Sequence, residues 1–370
     1  MGSAGDEPPP YGLGRVHGID GSGAAGDGAA VTRMTERDLA DLGIFRIPVP
    51  VPFPQAGGPA NVYVIEERGG GVMLFDAGLG TREAEEALQA GFRRAGKRFS
   101  EVRRIVVSHG HVDHFGAARS VLEWHGGEVP VYAHPADIPK MAEGGPRWRD
   151  VLPHYGAYLA RLGVPAEVLQ AAAGGLSASL KLARRLESVR AAPVGEVLSL
   201  AYVELEVLHM PGHTPGLICL HDRKHRLFFS DDHLLEKVSP NPLIELGPDG
   251  EEGIFKPLLA YLESAGRLHA LEVDLVLPGH AEPFGGHRRV IDALVQFYGK
   301  RQARIRAALA GRPLTGYEVM QAIFPRASPW ELFLTASETV ANLEVLEARG
   351  EAARDLLGGV YRFRLAGQER

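Results

Sequence analysis

From residue 44 onward, short apolar runs alternate with turns rich in glycine and proline. Ile44 to Pro54 mixes apolar residues with prolines, which predicts an edge strand, because proline cannot donate to a central ladder. Asn61 to Glu66 and Val72 to Phe75 read as a hairpin across Arg68-Gly69-Gly70-Gly71. A helix is expected from about Arg82 to Ala95. The run Ile105-Val106-Val107 is short and β-branched, as a strand buried on both faces should be. Ala117 to Trp124 predicts a further helix, and Val129 to Ala133 a further strand ending at His134-Pro135.

The segment from about Pro135 to Arg190 leaves this compact pattern. It contains Trp148, His154, Tyr155 and Tyr158, a helix stop at Gly163 and a start at Pro165. Leu182, Leu186 and Val189 then recur at helical spacing. Glu196 to Leu208 returns to strand-like alternation, and Leu227-Phe228-Phe229 and Leu275-Val276-Leu277 are further buried-strand candidates. Ile291 to Ala310 predicts a helix, Leu314 to Met320 a short capped one, Ser328 to Gly350 one or two more, and Val360 to Phe363 a pairing strand.

Residues 1–33 are rich in glycine, alanine and proline with few large apolar side chains, so a disordered leader is expected there. With 370 residues and 45% hydrophobic content, the remainder can bury one large core and a small second unit. A net charge of −6 gives no overall attraction to nucleic acid or to an anionic membrane. The one cysteine, Cys219 in Leu217-Ile218-Cys219-Leu220, reads as a small buried strand residue. No stretch reaches the roughly eighteen apolar residues of a membrane span, and the N-terminus has no signal-peptide pattern. A cytoplasmic location is therefore expected.

Chemistry concentrates behind Ile105-Val106-Val107, in Ser108-His109-Gly110-His111-Val112-Asp113-His114-Phe115-Gly116. Three imidazoles and a carboxylate fall within six positions there, where packing gives no reason for them. A tight turn at Gly110 lets His109 and His111 point to one side while Asp113 and His114 point to another, so one loop can serve two neighbouring metals. The competing reading is a polar loop with several surface histidines. These donors suit zinc, iron or manganese, and no cysteine is present in this stretch to build a thiolate cage.

His109-Gly110-His111-Val112-Asp113-His114 resembles the His-x-His-x-Asp-His signature of the metallo-β-lactamase superfamily of hydrolases, and further strand-end motifs follow in that family's order over roughly residues 44–290. His213 sits in a turn stiffened by Pro211, Gly212, Pro215 and Gly216, Asp232 ends the run Leu227 to Ser230, and His280 follows Pro278-Gly279. The resemblance implies an α/β fold, an αββα sandwich at residues 34–298 with a helical insertion at about 137–192, and a small winged-helix-like C-terminal domain at 299–370. It implies a first metal held by His109, His111 and His213 and a second by Asp113, His114 and His280. Asp232 is shared, and Asp113 and Asp232 carry catalysis. The family usually has glycine where this chain has Asp231, which leaves open which of the two aspartates binds. Asp76, after the second hairpin strand, either caps its turn or orders the metal loop from behind. His134 and His209 are read as neighbours without a direct role.

Two divalent ions are expected, zinc by default with iron or manganese as alternatives. The implied reaction is hydrolysis of a thioester, ester or lactone of a small acyl substrate, as in the glyoxalase II and thioesterase branches. The alternatives are a metal-dependent ribonuclease, suggested by the winged-helix-like tail, and a binding protein that has kept the fold without turnover. The insertion reads as a lid or as an oligomer contact, a homodimer being one form of the latter. Tyr155 and Tyr158 are candidates for the substrate pocket. Nucleic acid and membrane partners are not expected.

Overall fold

A computed structural model describes residues 35–142, 145–179 and 182–368, so the expected leader at 1–33 lies outside the described residues. Helix α1 (Glu36–Asp41), capped by Thr35 and Asp38, leads into β1 (Ile44–Val49), β2 (Ala60–Glu66) and β3 (Val72–Phe75). Helix α2 (Arg82–Arg94) precedes β4 (Val102–Val106), and α3 (Val112–Phe115) and α4 (Ala118–His125) precede β5 (Val131–Ala133). Helices α5 (Ile138–Ala142), α6 (Gly145–Arg161) and α7 (Ala166–Ser179) come before β6 (Arg190–Ala191), and these six strands form one sheet in chain order.

The second sheet holds β7 (Val197–Ser199), β8 (Glu204–His209), β9 (Ile218–Asp222), β10 (Leu227–Asp231) and, beyond α8 (Pro257–His269), β11 (Leu275–Pro278). Its order is β11-β10-β9-β8-β7. After α9 (His287–Leu309) come β12 (Leu314–Thr315), α10 (Gly316–Ile323), α11 (Leu332–Ala348), β13 (Ala352–Leu357) and β14 (Val360–Leu365), with a three-stranded sheet in the order β12-β14-β13.

The period-2 alternation of the strands explains the layering. In β2 and β3, Tyr63, Ile65, Met73 and Phe75 face Leu220, Leu227, Phe229 and Leu277 of the other sheet in one core. Their neighbours Val62, Val64, Val72 and Leu74 face outward against Leu88 and Phe92 of α2 and Val121 of α4. In the second sheet Cys219, Phe228 and Val276 turn outward onto Leu258 of α8 and Leu294 of α9. The result is helix, sheet, sheet, helix, as the resemblance implied. Strands β3 and β4 run parallel, as do β10 and β11, so their C-terminal ends and the loops that follow gather at one edge.

Several expectations change. The alternation from Glu196 to Leu208 is a hairpin, β7 paired antiparallel with β8, because Leu200 to Val203 makes the turn. Leu182, Leu186 and Val189 do not share an α-helix; all three drop into the α2 side of the first sheet from a segment of bends and irregular chain, a spacing that imitates helical periodicity. Helix α8 and strand β13 were not among the expected elements, although α8 starts on Pro257 and spaces Leu258, Tyr261, Ala265 and Leu268 along one face. The expected division at 298/299 falls inside α9, whose first half packs on the second sheet and whose second half, with Ile305 and Leu309, packs on the C-terminal elements. Helices α6 and α7 share that C-terminal core through Val151, Leu159, Leu162 and Val168.

Candidate metal centre

Four strand ends deliver the donors. The loop after β4 carries His109 and His111 and runs into α3 with Asp113 and His114; the β8–β9 turn carries His213; Asp232 follows β10; and His280 follows β11. The two sheets are stitched together beside them, with Ile218 N–H donating to Ser108 O at 2.9 Å and Asn61 N–H to Gly279 O at 2.7 Å. Three groups have donor atoms close enough to share an ion: His109, His111, His213 and Asp232; Asp113, His114 and His280; and His109, His114, Asp231 and Asp232.

The hydrogen bonds behind the imidazoles decide what the ring nitrogens can do. His109 Nδ1 lies 3.0 Å from Ser108 Oγ and 3.3 Å from Asp231 Oδ1, and Ser108 Oγ already donates to Asp76 at 2.9 Å. The hydrogen of His109 is therefore on Nδ1, and its Nε2 presents a lone pair. His213 Nδ1 donates to Asn241 O at 3.0 Å, so its Nε2 is also a lone pair. Both face His111 Nδ1 at 2.9 Å, and one hydrogen there can satisfy only one of them. A cation satisfies all three at once.

The second group repeats the logic. His114 Nδ1 donates to Asp76 Oδ2 at 3.0 Å, which leaves His114 Nε2 buried without a hydrogen-bond partner. His280 Nδ1 donates to Gly58 O at 3.2 Å, so its Nε2 lone pair faces Asp113 Oδ2 and Asp232 Oδ1, each at 3.5 Å. Asp232 Oδ1 is likewise buried without a hydrogen-bond partner, and Asp232 Oδ2 sits 3.4 Å from His213 and 3.5 Å from His114. Acceptors facing acceptors in a buried site cost free energy unless a cation lies between them. The donor set therefore fits two metal ions, with Asp232 placed to reach both.

Asp231 occupies a different place. Its backbone has a φ of 48°, which a glycine would adopt freely. Its Oδ1 faces the Nδ1 atoms of His109 and His114 at 3.3 and 3.4 Å and accepts from Asp232 N–H at 2.7 Å. The third grouping thus points hydrogens, and not lone pairs, at Asp231. Asp76, also at positive φ, accepts from Ser108 N–H at 2.7 Å. It holds the loop after β4 from behind, and the two aspartates face the Nδ1 atoms of His109 and His114.

Protonation tendencies differ across the cluster. Burial, with His109 and His213 alongside, holds His111 well below the usual imidazole range. Burial likewise lowers His213 to about 4, against the pull of Asp232. Both are neutral, the form that binds metal. His114 goes the other way: burial opposes its protonation, but Asp231, Asp232 and Asp113 together raise it well above the usual range. Burial and the neighbouring Asp231 push the Asp76 carboxyl well up.

A cleft opens over His111, Asp113, His213, Asp232 and His280. Its walls are Phe53 and Ala56 before β2, Leu235, Val238 and Leu243 beyond β10, and Leu334 of α11. Tyr155 and Tyr158 are not among these lining residues. They are buried in the core shared with α10 and α11, and the Tyr155 hydroxyl donates to Ile244 O at 3.2 Å. No described residue of the insertion lines the cleft; its helices α6 and α7 pack against the C-terminal elements, of which α11 does. His134 and His209 stack at 4.0 Å outside the cluster, and His209 Nε2 donates to Pro215 O. His233 is buried against Tyr261.

The sequence matches the description "Metallo-beta-lactamase superfamily" over residues 56–280. The chain belongs to the metallo-β-lactamase superfamily. Within it, the chain is 32% identical to the probable metallo-hydrolase YqjP of Bacillus subtilis over 308 residues, which cover 82% of this chain and 92% of that one. It is 30% identical to the acyl-coenzyme A thioesterase MBLAC2 of Gallus gallus over 246 residues, 64% of this chain and 77% of that one. Among solved structures, a metallo-β-lactamase family protein from Thermus thermophilus superposes with a TM-score of 0.69 at 28% identity, over 87% of this chain and 98% of that one. Among the described residues, no helix is long and apolar enough to cross a membrane.

Proposed function

We propose that this superfamily member is a dinuclear metal-dependent hydrolase of acyl thioesters, with esters and lactones as related substrates. The observation that carries the reading is the convergence of buried imidazole lone pairs and carboxylate oxygens at the floor of a cleft with apolar walls. In this reading His109, His111 and His213 hold one ion, Asp113, His114 and His280 the other, and Asp232 reaches both. Zinc is the proposed metal, since neutral imidazole and carboxylate suit it. When bound, such ions would lower the pKa of a water and polarise the substrate carbonyl.

The chain's own groups do the rest. Asp232 and Asp113 offer carboxylate oxygens that accept hydrogen bonds from an attacking water and orient it towards the cleft. Phe53, Leu235, Val238, Leu243 and Leu334 cover an acyl chain and exclude bulk water from the carbonyl. No thiol nucleophile competes, because Cys219 is buried in β9 with Sγ directed at Ser230 O. The relatives named acyl-coenzyme A thioesterases support the choice of thioester.

We read residues 299–370 as a winged-helix-like unit, supported by the order helix, strand, two helices, hairpin and by the sheet order β12-β14-β13. Helix α11, which would have to enter a nucleic-acid groove, is instead buried along nearly its whole length. That favours a packing role and disfavours the ribonuclease alternative. The test is a panel of acyl-coenzyme A esters, simple esters, lactones and single-stranded RNA offered to the metal-loaded protein. Thioester turnover is expected, and RNA cleavage without acyl turnover would reverse the reading.

A further inference from the structure

Asp137, in the turn between β5 and α5, is fully buried and lies behind both turns that carry the three-histidine group. Its Oδ2 accepts from Gly110 N–H at 3.0 Å, the amide between His109 and His111. The same oxygen accepts from the Thr214 hydroxyl at 2.6 Å, on the residue that follows His213. One carboxylate oxygen therefore ties together two segments about a hundred residues apart in the chain, and between them they carry His109, His111 and His213.

Packing tightens the tie. A Cβ added at Gly216 would come within 2.8 Å of Asp137 Cγ, and one added at Gly110 within 2.7 Å of Lys140 Cδ and 3.4 Å of Asp137 Cβ. Both turns close directly onto Asp137 and Lys140, with no room for a side chain between. The other oxygen, Asp137 Oδ1, faces Lys140 Nζ at 3.3 Å, and Lys140 in turn pairs with Glu245. Glu245 lies four residues beyond Asn241, whose carbonyl accepts from His213 Nδ1. The buried charges thus form a row, Asp137, Lys140 and Glu245, behind the three-histidine group, and Lys140 balances the carboxylate that would otherwise be costly to bury.

We propose that Asp137 is a positioning residue for the metal held by His109, His111 and His213: it sets the separation of the two turns, and so the fit of the three imidazoles around an ion. The inference rests on the ligand assignment proposed above. Outer-shell groups that orient ligands are typically worth roughly 10- to 100-fold in metal affinity. Here the orientation acts through backbone and hydroxyl, not through an imidazole nitrogen. Asp137→Asn keeps the shape but gives the site an amide N–H2 that faces a donor, Gly110 N–H, Thr214 hydroxyl or Lys140, whichever way it turns.

The experiment uses the full chain, stripped and reloaded with zinc or cobalt(II). Metal affinities are read by competition with a chromophoric chelator, stoichiometry by elemental analysis, and folding by thermal unfolding of the metal-free protein. Wild type is expected to bind two ions. Asp137→Asn should keep a cooperative unfolding transition but lose roughly 10- to 100-fold in affinity for one ion, with an altered cobalt spectrum. Thr214→Val, which removes one of the two tethers, should move affinity in the same direction by a smaller factor, while Thr214→Ser, which retains the hydroxyl, should restore it. Wild-type affinities and an unchanged cobalt spectrum in Asp137→Asn would overturn the proposal, whatever happens to its melting temperature. Should that variant fail to fold, wild-type affinity in Thr214→Val would overturn it equally. A wild-type chain that takes up no metal would sink the ligand assignment itself.

Discussion

Asp231→Gly separates ligand from support most sharply, because it replaces a strained aspartate by the residue its backbone prefers. At φ 48° a non-glycine residue costs about 1 kcal/mol, which glycine recovers. The same change removes the acceptor of Asp232 N–H at 2.7 Å, and an unsatisfied buried donor costs about 1–3 kcal/mol. These terms roughly offset, so the metal-free protein should melt within about 5 °C of wild type. Metal affinity should respond differently. His109 keeps Ser108 Oγ at 3.0 Å and His114 keeps Asp76 at 3.0 Å, so each imidazole retains one of its two orienting partners. The loss belongs at the lower end of outer-shell effects, about tenfold or 1.4 kcal/mol, and should touch both ions. Chelator competition on the reloaded protein measures it. Unchanged affinity would remove Asp231 from the account, and a loss of bound metal as complete as that in Asp232→Ala would make Asp231 a ligand.

Asp232→Ala should abolish turnover and reduce metal content below two per chain; full stoichiometry by elemental analysis would refute its shared position. Leu334→Trp should narrow the cleft from the α11 side, lowering kcat/KM for long acyl thioesters by at least about tenfold relative to short ones, with metal content unchanged; equal effects on both chain lengths would show that Leu334 does not touch the acyl group. Glu344, 6% exposed on α11, is pushed by burial to about 7. Its folded form thus holds a proton that the unfolded chain releases, so stability is fully present below pH 4.5, falls as pH rises to about 7, and is flat above. Glu344→Gln should therefore stabilise by up to roughly 3 kcal/mol at pH 8 and very little at pH 5. An equal change in melting temperature at both pH values would contradict the assigned burial.

The donor loop was legible because Ile105-Val106-Val107 is an unambiguous buried strand and nothing about packing explains His109, His111, Asp113 and His114 behind it. The sandwich followed from period-2 runs such as Val62 to Ile65, whose alternate residues do face two different cores. Support was far less visible. Asp137 looks like an ordinary turn acid after His134-Pro135, and only the approach of Gly110 and Thr214 from distant parts of the chain gives it a role. Along the sequence Asp232 was preferred to Asp231 only because Asp231 stands where the family usually has glycine; the residues themselves do not separate two adjacent carboxylates, which differ in which way the backbone aims them. Tyr155 and Tyr158 were singled out for aromatic content alone, and content does not reveal that α6 packs onto α11 and away from the cleft. Leu182, Leu186 and Val189 misled because a 4-then-3 spacing fits both a helix and an irregular loop segment that touches one core three times.

Anomalous diffraction at the absorption edge of the bound metal, from crystals of the reloaded full chain, tests the central claim most directly. Two peaks are predicted, one among His109 Nε2, His111 Nδ1 and His213 Nε2 and one among Asp113, His114 Nε2 and His280 Nε2, with Asp232 between them. Absence of both peaks, or ions bound elsewhere while these side chains remain in place, would contradict it.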